Sequence, residues 1–168
     1  MGMQTDVFSL HQHGSGFAYT SRTRLRAVSV RGAAGASRLD IFDTTTAPVA
    51  ATYGQNNTTV TVTSTNHGLA NNQVIGIAFD DGVGGTPNSN DFTITTTGAN
   101  TFTVTAINSA NITAGAVCRY AQRWVYTTEM VAGDIYNNYQ LFPAEGILIQ
   151  NGIYCDMSNV TSLSVFCG

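Results

Sequence analysis

This chain has no lysine: all seven basic residues among its 168 are arginine, and charged residues of both signs reach only 10%. Soluble globular chains usually carry about 25% charge, so the polar surface here must come from Thr, Ser, Asn and Gln. A surface so poor in charge repels itself weakly, which suits a protein that spends its life packed against copies of itself. Cysteine is scarce as well. Cys118, Cys155 and Cys167 show no CxxC or Cys/His spacing that would hold zinc. Cys155 and Cys167 flank a turn near Ser158 and Asn159. Hairpin register would leave Cys167 roughly 14 Å past the partner of Cys155, beyond the ~7 Å reach of a disulfide. All three cysteines are expected as small buried or semi-buried hydrophobes.

No apolar run approaches the length of a membrane span, and the start, Met1 to Asp6, lacks the charged head and apolar core of a signal peptide. Asp6 also stands where a myristoylation signal needs Ser or Thr. Synthesis in a cytoplasm and no membrane partner are expected. The net charge of −3 argues against a nucleic-acid partner, because affinity for a phosphate backbone grows with the number of phosphates neutralised.

Catalytic constellations are missing too. There is no GxSxG elbow, P-loop, strand-following GxGxxG or HExxH. Asp40 with Asp43, or Glu129 with Asp134, form carboxylate pairs that an arginine can claim as readily as a glycoside can. His11 and His13 alternate on one stretch, but a metal site needs a third ligand that the sequence does not nominate. Asp80, Asp81 and Asp91 border a Gly-rich loop whose spacing fits no EF-hand. His67, inside Asn66-His67-Gly68, reads as a turn holder through backbone hydrogen bonds. The expectation is a chain that is not an enzyme and uses no metal or cofactor.

What the chain does have is alternation. Hydrophobic residues make up 43% of it, ample for packed cores. Thr59 to Thr63 places valine on one face and threonine on the other, and the pattern returns at Phe92 to Ile94 and Thr101 to Ala106. Residues 52–117 form a Thr/Asn/Gly-rich block, with strands expected at 58–64, 73–79, 92–96 and 101–107. Segments 1–51 and 118–168 carry nearly all the charge and the larger aromatics, so they read as one host domain with the block inserted through a loop. In the host, Ser21 to Val30 reads as a strand whose inward parity shifts after Ala27, the mark of a bulge or of burial on both faces. Further strands are expected at Ser37 to Asp43, Trp124 to Tyr126, Ile147 to Cys155 and Thr161 to Cys167, with a short helix or long loop over Thr127 to Gln140.

Five arginines lie between Arg22 and Arg38. Arg22, Arg24 and Arg26 alternate along the strand, about 6 to 7 Å apart on one face. Their planar forks suit bidentate ion pairs at a subunit contact, and Asp40, Asp43, Glu129 and Asp134 are the carboxylates on offer.

Two sets of residues carry a resemblance. The run Thr61-Val62-Thr63-Ser64-Thr65-Asn66-His67-Gly68-Leu69, followed by Gln73-Val74-Ile75 and by Ala99-Asn100-Thr101-Phe102-Thr103-Val104, resembles small β modules of tailed-phage virion proteins, cyanophages and other aquatic phages especially. The host halves, from Ser21-Arg22-Thr23-Arg24-Leu25-Arg26 to Val160-Thr161-Ser162-Leu163-Ser164-Val165-Phe166, are similar to short phage structural proteins built as β-sandwiches. Those proteins usually have a Tyr near the place of Cys167. The resemblance implies an all-β fold: an antiparallel β-sandwich or jelly-roll-like domain with an inserted small β-barrel-like domain. It further implies a virion structural protein, a capsid decoration or cement protein assembled in the host cytoplasm. As a homotrimer it would bind the major capsid protein or other virion proteins, many weak contacts summing by multivalency. Arg22, Arg24, Arg26, Trp124 and Tyr126 would make the subunit or shell contacts while the insert projects outward. A tail, collar or fibre component, or a glycan-binding module that stacks Tyr53, Tyr136 or Tyr139 on sugars, could use the same parts.

Overall fold

The computed structural model describes residues 7–80, 87–133, 135 and 137–168. Among them every regular element is a strand. In chain order these are β1 (Phe8–Gln12), β2 (Gly16–Tyr19), β3 (Thr23–Gly32), β4 (Ser37–Asp43), β5 (Val49–Thr63), β6 (Val74–Phe79) and β7 (Asn90–Thr93). There follow β8 (Thr95–Gly98), β9 (Thr101–Ala121), β10 (Arg123–Met130), β11 (Asn137–Leu141), β12 (Ile147–Ile149), β13 (Ile153–Ser158) and β14 (Val160–Cys167). The fold is all-β, and the chain divides into two compact units, Met1–Ala47 with Val125–Gly168, and Pro48–Trp124.

The first unit is a sandwich. One sheet runs β1-β14-β3-β11, with β12 further along the same side of β3, and the second runs β10-β4-β13-β2. Leu25, Val28 and Val30 of β3 and Leu163, Val165 and Cys167 of β14 meet Leu39 and Ile41 of β4 and Ile153 and Cys155 of β13 in one core. The parity shift in β3 is a bulge. Phe166 pairs with Ala27 but Cys167 pairs with Leu25, so Arg26 is the extra residue. The slip lets Leu25 and Val28, three positions apart, both face the core.

Three expectations for this unit give way. Ile147 to Cys155 is two strands in different sheets, because the chain turns a corner at Gln150 to Gly152. The fully buried Asp43 holds that corner by accepting the backbone N–H groups of Gln150 (2.8 Å), Asn151 (2.7 Å) and Gly152 (3.3 Å). Strands β13 and β14 likewise form no hairpin. The chain changes sheet between them, with Asn159 at φ 52°, so that Cys155 and Cys167 enter the core from opposite sheets. Over Thr127 to Gln140 there is no helix among the described residues: Thr127 and Thr128, β-branched, prolong the Trp-Val-Tyr strand, and β11 pairs with β3.

In the second unit β5 and β9 run 15 and 21 residues, longer than the alternation predicts, because bulges carry the pairing past polar stretches. From Tyr53↔Ala116 to Gln55↔Ile112 and from Asn57↔Ala110 to Thr59↔Thr105, β9 spends more residues than β5. Buried Gln55 spans the second bulge, its amide N–H groups donating to Asn57 O (2.7 Å) and Asn108 O (2.8 Å). Pairing passes from β9 to β6 to β7, and the next segment, broken only at Ile94, returns to β9 as β8. That circuit encloses Val60, Val62, Ile75, Ile77, Phe79, Ile94, Phe102 and Tyr120. Small turns close it: Asn66 and Asn72 take positive φ at 50° and 64°, a conformation asparagine tolerates.

Candidate interaction surface

The three arginines of the stripe do not act alike. Arg22 precedes β3 and is exposed. Arg24 reaches Glu145 at 2.9 Å, and Arg26 points a guanidinium N–H at Ala144 O, 3.5 Å away. Both therefore brace the turn Pro143 to Gly146 that joins β11 to β12. That turn lies close on β3: Gly146 has φ +76°, and a Cβ there would sit 2.4 Å from Leu25 O. The carboxylates expected to serve the stripe have partners of their own. Arg38, on buried β4, donates to both oxygens of Asp40 (2.7 and 3.0 Å) and to Glu129, while the Thr127 hydroxyl also donates to Asp40. Asp43 holds the corner, and Asp134 lies outside the described residues.

Both Trp124 and Tyr126 belong to β10, Trp124 in the second unit and Tyr126 in the first; within the first unit Tyr126 is in the second sheet, whereas Arg24 and Arg26 are on β3 of the first. The Tyr126 ring, half-buried, meets Phe142 edge to face at 5.3 Å and packs against the sandwich core. Trp124 is fixed by its backbone. Its N–H donates to Asp91 Oδ1 at 2.7 Å, and its nitrogen passes so close to Gly76 that a Cβ there would lie 1.8 Å away. Asp91 also faces Arg123 at 3.9 Å; Asp81 lies outside the described residues. No group of three or more His, Cys, Asp or Glu among the described residues is placed to hold a metal ion.

The histidines bond groups of the fold itself, two of them to backbone and one to a side chain. His11 bonds Ser164 Oγ (3.0 Å) and His13 bonds Thr161 O (3.1 Å). His67 Nδ1 accepts the Leu69 N–H at 3.0 Å, which places the ring proton on Nε2, where it is donated to Gly98 O at 2.9 Å. That is the turn-holding role its setting between Asn and Gly suggests. Tyr53 is 1% exposed and donates its hydroxyl to Asp80 O, so it cannot stack on a sugar; Tyr136 lies outside the described residues. The three cysteines are free and buried. Burial pushes the Cys118 thiol up to about 12 and Cys167 to about 11, and raises Cys155 further, with Cys167 and Asp156 adding to the effect.

What remains open is the outer face and edge of the first sheet. All five residues of β11 are exposed. Tyr139, Leu141 and Phe166 with Val7, Ala27, Phe142, Ala144 and Arg26 line a groove of about 360 Å³. Tyr139 is 58% and Leu141 60% exposed, side chains that a sheet face normally covers. Arg26 and Tyr139 are the two of these residues that the sequence reading names as contact candidates. The available signal was Asn137-Asn138-Tyr139-Gln140-Leu141, a strand-length run with neither charge nor proline.

No protein-family model, no curated protein and no solved structure matches this chain.

Proposed function

We propose that this chain is a structural protein of a tailed-phage particle, a capsid decoration or cement protein that binds the outer shell as a homotrimer. The sequence resemblance supplies the class. The observation that carries it is the bare, uncharged edge of the first sheet with its apolar groove, a surface that costs solubility in a lone monomer and becomes useful among neighbours. Low charge and the all-β architecture support the same reading, as does the employment of the buried polar groups in holding corners and turns. On this reading the contact surface is β11 and the groove beside it, which Arg26 helps to line, with Arg22 exposed just before β3, while Arg24 braces the turn after β11 and Tyr126 packs on the sandwich core. The partner is the shell protein, and the place of action is the virion. Quantitative mass spectrometry of purified particles tests this: a copy number near that of the shell protein supports decoration. A copy number of tail stoichiometry moves the protein to a tail, collar or fibre, and absence from particles refutes the reading.

A further inference from the structure

We propose that β11 of one copy pairs antiparallel with β1 of the next, so that the first sheet runs on from subunit to subunit and closes into a ring. The inference rests on the multi-copy reading above and names the contact that would build the oligomer.

Among the described residues β1 and β11 are the two ends of the sheet path β1-β14-β3-β11. Each is five residues long. Phe-Ser-Leu-His-Gln and Asn-Asn-Tyr-Gln-Leu contain no acidic residue, lysine, arginine or proline. Proteins that stay monomeric guard such edges with a charge, a proline or a bulge, because the unpaired N–H and C=O groups are a template for another strand. Neither end of this sheet carries such a guard.

Direction matches too. β1 is antiparallel to β14, β14 to β3, and β3 to β11, so β1 and β11 run oppositely within one copy. A neighbour set head to tail, with its sheet continuing the first, therefore offers β1 antiparallel to β11, and the alternation is unbroken. On β11 the exposed Tyr139 and Leu141 stand on the face that carries Ala27 and Phe166, and a strand added beside them would supply the cross-strand neighbours that they lack on that side. A two-fold contact of β11 with β11 would leave both β1 edges open. Head-to-tail pairing that closes leaves none, and it gives a cyclic oligomer.

Charged edges test the inference without knowledge of the register. One variant carries Tyr139→Lys with Leu141→Lys, the other Ser9→Lys with His11→Lys, all at exposed positions. Sedimentation equilibrium at micromolar concentration should find the parent chain oligomeric and each variant alone monomeric. The two mixed should give a one-to-one heterodimer, since each keeps the edge that the other has lost. An oligomeric β1 variant points to the two-fold contact and overturns the proposal. A parent oligomer that survives both variants overturns it while leaving the multi-copy reading in place, and a monomeric parent removes both. Should a variant lose its sheet spectrum, hydrogen exchange of the parent decides: those amides of residues 137–141 that point away from β3 must be protected in the oligomer and exposed on dilution, and equal exchange in both states contradicts the inference.

Discussion

At the scale of single residues, the polar groups that matter are those that lost water. Arg38 and Asp40 are 10% and 7% exposed at their side chains, so removing either leaves the other charge buried. Arg38→Met should cost about 3–5 kcal/mol in urea unfolding, and adding Asp40→Leu should recover much of it. The exposed Arg24 to Glu145 pair, by contrast, is worth about 0–1 kcal/mol. The thiols give a second prediction. Native protein should leave Cys118, Cys155 and Cys167 unreactive toward a disulfide reagent at about pH 8, and unfolded protein should expose all three. The same groups set an alkaline limit. An unfolded thiol ionises near 9.0 while the folded chain holds the Cys167 proton to about 11 and the Cys118 proton to about 12. Their contribution is complete below pH 9.0 and is lost as pH rises toward 11 and 12. A pH series of urea midpoints should fall over that window, and a flat series would contradict it.

At the scale of elements, β6 and the start of β10 approach closely through their backbones. Gly76 of β6 lies under the Trp124 nitrogen, and a Cβ there must displace backbone rather than a flexible side chain. Gly76→Ala should cost more than about 3 kcal/mol, whereas Gly14→Ala, with nothing within 4 Å, should stay within about 0.5 kcal/mol. Thermal unfolding of the two variants side by side makes the comparison. Much of this level was legible beforehand. The apolar runs located β3, β4, β6 and β14, and the clash of parity at Ala27 and Val28 marked an irregularity, a bulge or burial on both faces, because alternation is a local property; the pairing shows that it is a bulge at Arg26. The sheet changes at Gln150 to Gly152 and at Asn159 were not legible. They depend on Asp43, more than a hundred residues from the amides it holds, and on which sheet each strand joins. The intramolecular partners of the arginine stripe were hidden for a related reason: β-parity places Arg24 and Arg26 on one face, but only the folded turn of Pro143 to Gly146 shows what they grip within the chain.

At the scale of the whole molecule, two cores share one chain. Phe102 and Val60 belong to one and Leu25 and Leu163 to the other. Phe102→Ala, costing about 3–5 kcal/mol, should therefore speed hydrogen exchange at Val60, Val62 and Ile77 before it does so at Leu25, Val28 and Leu163. Equal acceleration everywhere would mean a single cooperative body. The surface shows what the cores do not. The proposed reading rests on a chain without lysine, with a strand lacking charge and proline at each end of one sheet among the described residues, and on an open apolar groove. The most direct test is the stoichiometry of this chain in purified phage particles, measured by mass spectrometry against the shell protein. The account predicts a copy number comparable to the shell protein's, and a protein absent from particles that persists as a soluble monomer would contradict it.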